Sequence, residues 1–258
     1  ALNMVVSPIL EYENKSVLST TQTNYLASTL EVSNTNPITG DVTNPSTSEI
    51  KRRIYDTFPT QNRAVTQADY ESIAYRMPAK YGSIKRCTVI KDQSSLKRNL
   101  NMYVVSENSF NKLALTNNTI KQNLQTWLNN YRMVNDTIDI LDPYIINLGV
   151  DFVLKLKPGK SRADIQALAI DKIRKLFAEG FFVGESMFIS SVYTALKEIE
   201  SVLDVSSVKI NNKSGGQYSP TTFVINKNMS PDGTQLLCPA NAIFEIKYPE
   251  VDIRGKIK

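Results

Sequence analysis

The sequence of 258 residues contains no histidine and only two cysteines, Cys87 and Cys238. Without histidine there is no Ser-His-Asp or Cys-His triad, and both the commonest general base and the commonest metal ligand are missing. The two cysteines are too far apart in sequence for a CxxC pair or a disulfide framework, so they do not predict a zinc site. We expect buried free thiols, no catalytic residue, no metal site and no cofactor.

Long apolar runs are also missing. No stretch approaches the roughly 18 consecutive apolar residues that a membrane-spanning helix needs. The sequence begins Ala-Leu-Asn without a basic or apolar leader, so we expect a protein made inside the cell and a fragment of a longer chain. The net charge is +5, but acidic residues interleave with the basic ones, and this argues against a nucleic-acid groove. We therefore expect neither a membrane nor a nucleic-acid partner.

Two apparent catalytic motifs are weak. Gly159-Lys160-Ser161 follows a predicted strand as a phosphate loop would, but Leu154 stands where GxxxxGK[ST] requires its first glycine. A tight turn before a helix is the competing interpretation. The neighbouring carboxylates Asp139 and Asp142, and Glu198 and Glu200, are expected to be surface charges, although a hydrolase with two acidic residues across a cleft stays open.

Hydrophobic periodicity predicts an α+β protein with several small mixed α/β units, in which antiparallel hairpins pack on amphipathic helices. We place a β-rich polar segment ending in a short helix at residues 1–60. A first α/β unit follows at 61–142, and a second unit with a loop-rich β tail at 143–258. The predicted helices begin near Ser46, Thr66, Asn117, Ser161 and Phe188. The predicted strands cover residues 84–91, 100–105, 137–141, 145–157, 202–210, 222–225 and 242–248.

The most distinctive helix start is the stretch Asn62-Arg63-Ala64-Val65-Thr66-Gln67-Ala68-Asp69-Tyr70. Thr66 is suited to cap the helix by accepting from the backbone N–H of Asp69. Asp69 places a carboxylate in the first turn, where the helix dipole favours negative charge. Tyr70 begins the apolar face.

This Arg-Ala-Val-Thr entrance, followed by Asp-Tyr-Glu and a helix of small apolar residues, resembles the J-like baseplate proteins of contractile-tailed phages. The order of elements over residues 60–210 adds to the resemblance. Within the family the chain is similar to the C-terminal part of the large wedge subunit of a T-even-type phage. The motif residues that carry the resemblance are Arg63, Thr66, Asp69 and Tyr70.

The resemblance implies a structural protein without enzymatic activity, made late and assembled in the host cytoplasm into the tail baseplate of the virion. Copies would form homodimers, and the pairs would join other wedge proteins in a ring around the hub that rearranges on tail contraction. A different class stays open: the Asn-, Ser- and Thr-rich loops and 12 tyrosines also suit a receptor- or carbohydrate-binding module of a virion.

Aromatic and apolar residues in the second half are candidates for the contact between copies, because the centres of such interfaces are apolar and rich in aromatics. The candidates are Phe181, Phe182, Val183, Tyr218 and Phe223. Burial inside a single copy is the competing interpretation.

Overall fold

The computed structural model describes residues 45–58, 63–92, 99–159 and 161–257, together with Thr20, Thr21 and Tyr25. By its contacts the chain divides into residues 1–37 and residues 38–258. The three isolated residues are helical and belong to the first unit. All the elements below belong to the second. The β-rich part of the segment 1–60, the turn at 93–98 and Lys160 lie outside the described residues.

A four-stranded sheet is built around one long central strand. Its strands are Arg86–Lys91 (β1), Asn99–Glu107 (β2), Leu113–Leu115 (β3) and Thr137–Leu141 (β4). β1 runs antiparallel to β2 on one side, which confirms the predicted hairpin. On the other side of β2, the parallel β4 and the antiparallel β3 follow one another end to end.

Three helices accompany this sheet. They are Thr47–Thr57 (α1), Gln67–Tyr75 (α2) and Asn118–Asn129 (α3), with a 3₁₀ turn at Ala79–Tyr81. α3 buries Ile120, Leu124 and Leu128 at helical spacing, as its sequence predicts. Trp127 packs at the margin of the same core and donates through Nε1 to the Ile73 carbonyl at 2.9 Å. The sheet and the faces of α2 and α3 thus enclose one hydrophobic core.

The second sheet is also built around one long central strand. Its strands are Tyr144–Leu156 (β5), Val202–Lys213 (β7), Ala242–Glu245 (β9) and Ile253–Ile257 (β10). β7 is antiparallel to β5 on one side, and the parallel β9 and β10 divide the other side between them. Met187–Phe188 (β6) and Gln235–Leu236 (β8) form a separate antiparallel ribbon.

The helices Arg162–Leu176 (α4) and Ile189–Lys197 (α5) cover this second sheet, and a single helical turn at Pro249–Asp252 (α6) precedes β10. The core beneath them contains Phe152, Leu154, Ile173, Leu196 and Phe244, all at most 1% exposed. Gly255 lies against the Phe152 ring, where a Cβ would come within 2.5 Å of Cζ. Only glycine therefore lets β10 pack this closely on β5.

The α+β class is confirmed, with several local corrections. Residues 222–224 form no strand, and the chain instead makes a 3₁₀ turn at Ile225–Lys227. Phe188 ends β6 and only caps α5, and Ser161 begins α4 without a side-chain capping bond. β10 was not predicted, because Arg254, Gly255 and Lys256 dilute its strand pattern. The domain boundaries at 60/61 and 142/143 stay predictions.

Candidate interaction surface

The distinctive helix start has the predicted Thr66 cap, and the Asp69 carboxylate completes a capping box. The Asp69 amide donates to Thr66 Oγ1 at 3.2 Å, and the Thr66 amide donates to Asp69 Oδ2 at 2.8 Å. The Val65 amide also donates to that carboxylate, at 3.1 Å. These bonds satisfy backbone donors that an uncapped helix leaves without partners, so Thr66 and Asp69 fix the start of α2.

Tyr70 connects this helix to the turn before β4. Its ring is 1% exposed, and its hydroxyl donates to Asp136 Oδ2 at 2.7 Å. Arg132 donates to the backbone carbonyl of Asp136 in the same turn. Arg63 is exposed. Three of the four motif residues therefore stabilise the first core or its helix, and their value as a family signature stays a prediction.

Three of the proposed interface residues lie in or against the second core. Phe181 and Val183 are buried, and Phe223 is half-buried against the core. The rings of Phe181 and Phe223 each contact the Phe244 ring, and their centroids lie 6.0 and 5.7 Å from its centroid. The structure thus uses these side chains for packing inside one copy, and their part in a contact between copies stays a prediction.

Phe182 has a different environment from its neighbours. Its ring lies between two guanidinium groups, with the Cζ atoms of Arg52 and Arg86 at 4.5 and 4.4 Å from the ring centroid. A guanidinium group over the face of an aromatic ring is attracted by the negative charge of that face, which is a cation–π contact. The residue therefore ties the loop after α4 to α1 and to β1.

Tyr218 is separate from the other candidates. Its hydroxyl donates to Asp252 Oδ1 at 2.6 Å, and its ring meets Tyr248 edge-on at 5.6 Å. The hydrogen bond to the Asp252 carboxylate raises the pKa of Tyr218 to about 12. Tyr218 thus anchors the loop after β7 to α6.

α1 has its apolar face turned toward solvent. The exposed fractions are 43% for Ile50, 65% for Ile54, 80% for Tyr55 and 90% for Phe58. We call these four residues the α1 face. An amphipathic helix on a globular protein normally buries its apolar stripe. The helical spacing of Ile50, Ile54 and Tyr55 puts them on one face of α1. The spacing does not reveal that the opposite face of α1 is the one that packs on the rest of the protein.

The charged side of α1 is the side that contacts the protein. Glu49 Oε1 accepts from Arg86 Nη1 and from Arg53 Nη2, each at 2.5 Å. At the start of the helix the Glu49 amide donates to Ser46 Oγ at 3.3 Å, so Ser46 caps α1. Arg86 also donates to the Glu179 carbonyl at 3.0 Å. A nearly buried ion-pair network therefore holds α1 to the body.

A second exposed apolar feature lies between α4 and α5. Leu168 and Leu176 are 54% and 41% exposed, although the apolar pattern of α4 predicts them in the core with Ile165 and Ile173. They line an open groove of about 700 Å³ whose α5 side carries small residues. We call it the outer groove; its lining residues are Leu168, Asp171, Lys172, Lys175, Leu176, Ser190, Ser191, Thr194, Ala195 and Glu198.

The charges of the outer groove form pairs at its rim. Lys172 Nζ lies 2.7 Å from Glu198 Oε2, and Lys175 Nζ lies 2.8 Å from Asp171 Oδ2. The contact with the Lys175 ammonium lowers the pKa of the Asp171 carboxyl. The rim is thus mixed in sign, and Lys172, which lies midway between Leu168 and Leu176 on α4, joins α4 to the end of α5 through Glu198.

A cavity of about 440 Å³ lies where the two sheets adjoin, between β1, the turn before β3 and the end of α4. Two ion pairs lie along it, Lys85 with Glu107 at 3.3 Å and Arg86 with Glu49. At its far wall Glu245 accepts from the Leu113 amide, and burial raises the pKa of this carboxyl. The bond from Leu113 of β3 to Glu245 of β9 joins the two sheets.

The cysteines behave as the sequence predicts. Cys87 is buried in β1, and Cys238 is half-buried. Burial raises the pKa of each thiol to about 12, so neither is suited to act as a nucleophile. Within the described ranges no group of three His, Cys, Asp or Glu side chains is placed to hold a metal ion. No helix in the described part of the chain has the length and apolar character to cross a membrane.

Comparison with known proteins gives a structural likeness and no match of sequence. Neither a family model nor a curated protein matches the sequence. Among solved structures, the chain is similar to one in the cryo-EM structure of the anti-feeding prophage (AFP) baseplate, 6-fold symmetrised, with a TM-score of 0.48 and 12% sequence identity. The alignment covers 77% of this chain and 41% of that chain, so this chain spans about two fifths of the other's length.

Proposed function

We propose that this chain is a structural subunit of the baseplate wedge of a contractile tail. In this proposal it pairs with itself, joins other wedge proteins in a ring around the hub, and changes its contacts when the tail contracts. It would be assembled in the host cytoplasm and would act in the virion by binding neighbours, with no chemical step. The motif at Arg63, Thr66, Asp69 and Tyr70 supports the proposal through its resemblance to the J-like baseplate proteins.

The observation that carries the proposal is the α1 face. Three large apolar side chains of α1 and the Phe58 ring at its C-terminal cap are exposed to solvent, and contiguous exposed apolar surface marks sites of protein association. Tyr and Phe are also among the residues that contribute most to binding when a partner covers them. The ion pair of Glu49 with Arg86 of β1, on the opposite side of the helix, keeps this face turned outward.

Co-expression with the other tail proteins tests the proposal directly. The chain should co-purify with them and appear at a fixed position in cryo-EM images of the particles. The variant I54Q/F58Q should incorporate poorly, because it removes apolar anchors from α1 while keeping a residue that favours helix at position 54. V134Q is the matched control, since Val134 is 95% exposed and lies outside both α1 and the outer groove.

The same purified chain tests the competing class. Selective binding on a glycan array, together with failure to join any tail particle, would favour a carbohydrate-binding module and contradict the structural proposal. Incorporation into particles with no selective glycan binding would support it.

A further inference from the structure

β7 is a long strand at one edge of the second sheet. It pairs with β5 over Val202–Lys213, and in the described part of the chain no strand lies on its other side. An edge strand presents a row of backbone N–H and C=O groups on which a further strand can pair. β7 is therefore a candidate site for a strand of another molecule.

The edge strand β1 of the first sheet, by contrast, is closed by side chains of α2. The Cys87 amide donates to the Tyr75 hydroxyl at 2.9 Å, and the Val89 amide donates to Glu71 Oε1 at 3.1 Å. These contacts occupy two successive outward N–H groups of β1, so a strand added there would have to displace both. Such covering of an edge is a common protection against unwanted strand pairing.

Among the described residues, one helix side chain covers the outer edge of β7. The Val208 amide donates to the Tyr193 hydroxyl of α5 at 3.0 Å, so this N–H points away from β5. Val208 and Val205 lie opposite Phe152 and Leu154, two positions apart on β5, so both direct their backbone groups outward. Tyr193 thus covers one of these four outward groups.

The sequence of β7 is complementary to itself in an antiparallel pairing. From Asp204 to Lys209 the strand reads Asp-Val-Ser-Ser-Val-Lys. Antiparallel pairing of two such segments puts valine opposite valine and serine opposite serine. At each end it puts Asp204 opposite the second copy's Lys209. Side chains of opposite charge that lie directly opposite each other stabilise a pair of strands.

The faces of the sheet agree with this pairing. Asp204 and Lys209 lie on one face, because a register shift between them places them opposite Lys155 and Asp151 of β5. Both are exposed, and the ion pairs of the described residues include neither. Across two copies one row would contain Lys155, Asp204, the second copy's Lys209 and its Asp151. These charges alternate in sign over four adjacent strands, which is the complementarity that a second copy offers.

We propose that β7 of one copy pairs antiparallel with β7 of a second copy, with Asp204 opposite Lys209 at both ends of the contact. The inference rests on the proposed function as a self-associating subunit, and it names the strand that makes the contact. Because each copy contributes the same segment, the pair is closed and two-fold symmetric. Val208 and the second copy's Val205 exchange backbone hydrogen bonds, which replace the contact with Tyr193.

Charge reversal tests the contact. D204K brings two positive charges together at each end, and K209D brings two negative charges together. By sedimentation velocity, each variant alone should self-associate at least about 10-fold more weakly than the original chain. Both positions are exposed, so circular dichroism and thermal unfolding should stay close to those of the original chain. D164K and K256D reverse exposed charges outside β7, and these matched controls should associate normally.

The decisive step is to mix D204K with K209D. The mixture has opposite charges at both ends of the contact, so it should form a 1:1 complex about as tight as the original pair. Mixing D164K with K256D should give no more association than either control alone. The inference is overturned if the first mixture does not associate, or if the original chain stays monomeric at every concentration.

Amide hydrogen exchange distinguishes backbone pairing from a contact between side chains. The Val205 amide should become protected when the original chain associates, and association without this protection would contradict the pairing of strands. Y193F removes the hydroxyl that competes for the Val208 amide in each copy. It should therefore tighten self-association at least about 5-fold, and unchanged or weaker association would argue against the contact.

These outcomes are separable from those of the proposed function. A chain that enters tail particles, and whose incorporation and self-association are unaffected by D204K, would contradict the β7 contact and leave the baseplate role standing. A chain that pairs through β7 and never enters tail particles would contradict the baseplate role alone.

Discussion

The guanidinium carbon of Arg86 lies 4.4 Å from the centroid of the Phe182 ring, while its Nη1 atom donates to Glu49. One side chain of β1 thus contacts both α1 and the loop that follows α4. The side chains of Arg86 and Glu49 are only 4% and 10% exposed. The orientation of the α1 face therefore depends on a polar network that is almost fully desolvated.

Replacing Arg86 with methionine should destabilise the fold by about 1.5–3 kcal/mol, because it removes one of the two guanidinium partners of the nearly buried Glu49 carboxylate and leaves only Arg53. Urea unfolding measures the change. The control D171N removes a partner from an exposed ion pair, where the loss should be under about 1 kcal/mol. Equal effects of the two substitutions would show that the Arg86 network is not a stabilising connection.

Replacing Tyr70 with phenylalanine should lower the free energy of unfolding by about 1–3 kcal/mol, since it removes a hydroxyl donor to the buried Asp136 carboxylate. Y55F is the control, because Tyr55 is largely exposed, and its effect should stay within about 0.5 kcal/mol. Chemical denaturation of both variants gives the comparison. A loss for Y55F as large as that for Y70F would argue against the assigned role of Tyr70.

Thr66→Ala should destabilise the protein by about 1 kcal/mol, because the Asp69 amide loses its side-chain acceptor at the start of α2. The same substitution at Thr126, inside α3, should be neutral or slightly stabilising, since alanine has the higher helix propensity. Thermal unfolding of T66A and T126A distinguishes the two positions. The capping assignment fails if T66A unfolds at the same temperature as the original chain.

Stability should fall as pH rises from about 9 toward about 12. Burial raises the pKa of Cys87 and Cys238 from an ordinary value of 9.0 to about 12. In this window the thiols lose their protons in the unfolded chain but not in the folded one. Rising pH therefore stabilises the unfolded state relative to the folded state, and the free energy of unfolding falls. Tyr75 and Tyr218 act in the same direction, because the pKa of each is also raised.

Urea midpoints at pH 8, 9.5 and 10.5 measure this dependence. The C87A variant should lose less stability over the interval than the original chain, since it has one fewer thiol that titrates only after unfolding. A midpoint that is constant or rises with pH would contradict the assignment of protonated, buried thiols.

Much of the fold follows from local sequence patterns. The stripe of Ile120, Leu124 and Leu128 is buried as predicted, and β4 spans Thr137–Leu141 as its alternation indicates. Thr66 accepts from the Asp69 amide as expected. These elements were predictable because each depends on neighbours within one or two turns of the chain. β10 was missed because its place beside β5 depends on Gly255 fitting against Phe152, a contact between residues distant in sequence.

The interaction surface was much less predictable. Periodicity groups Ile50 with Ile54, but it cannot say whether a neighbouring element covers them. The inward side of α1 is set by Glu49, which pairs with Arg53 of the same helix and with Arg86 of β1. For the same reason Leu168 and Leu176 were expected in the core. The aromatic content of residues 181–183 suggested an interface, whereas Phe181 and Val183 pack in the second core.

Immunogold labelling of intact particles with an antibody raised against this chain tests the central claim most directly. The account predicts label at the distal end of the tail, at the baseplate, and on contracted as well as extended particles. Particles that carry no label, with all of the chain recovered in the particle-free fraction of the lysate, would contradict it.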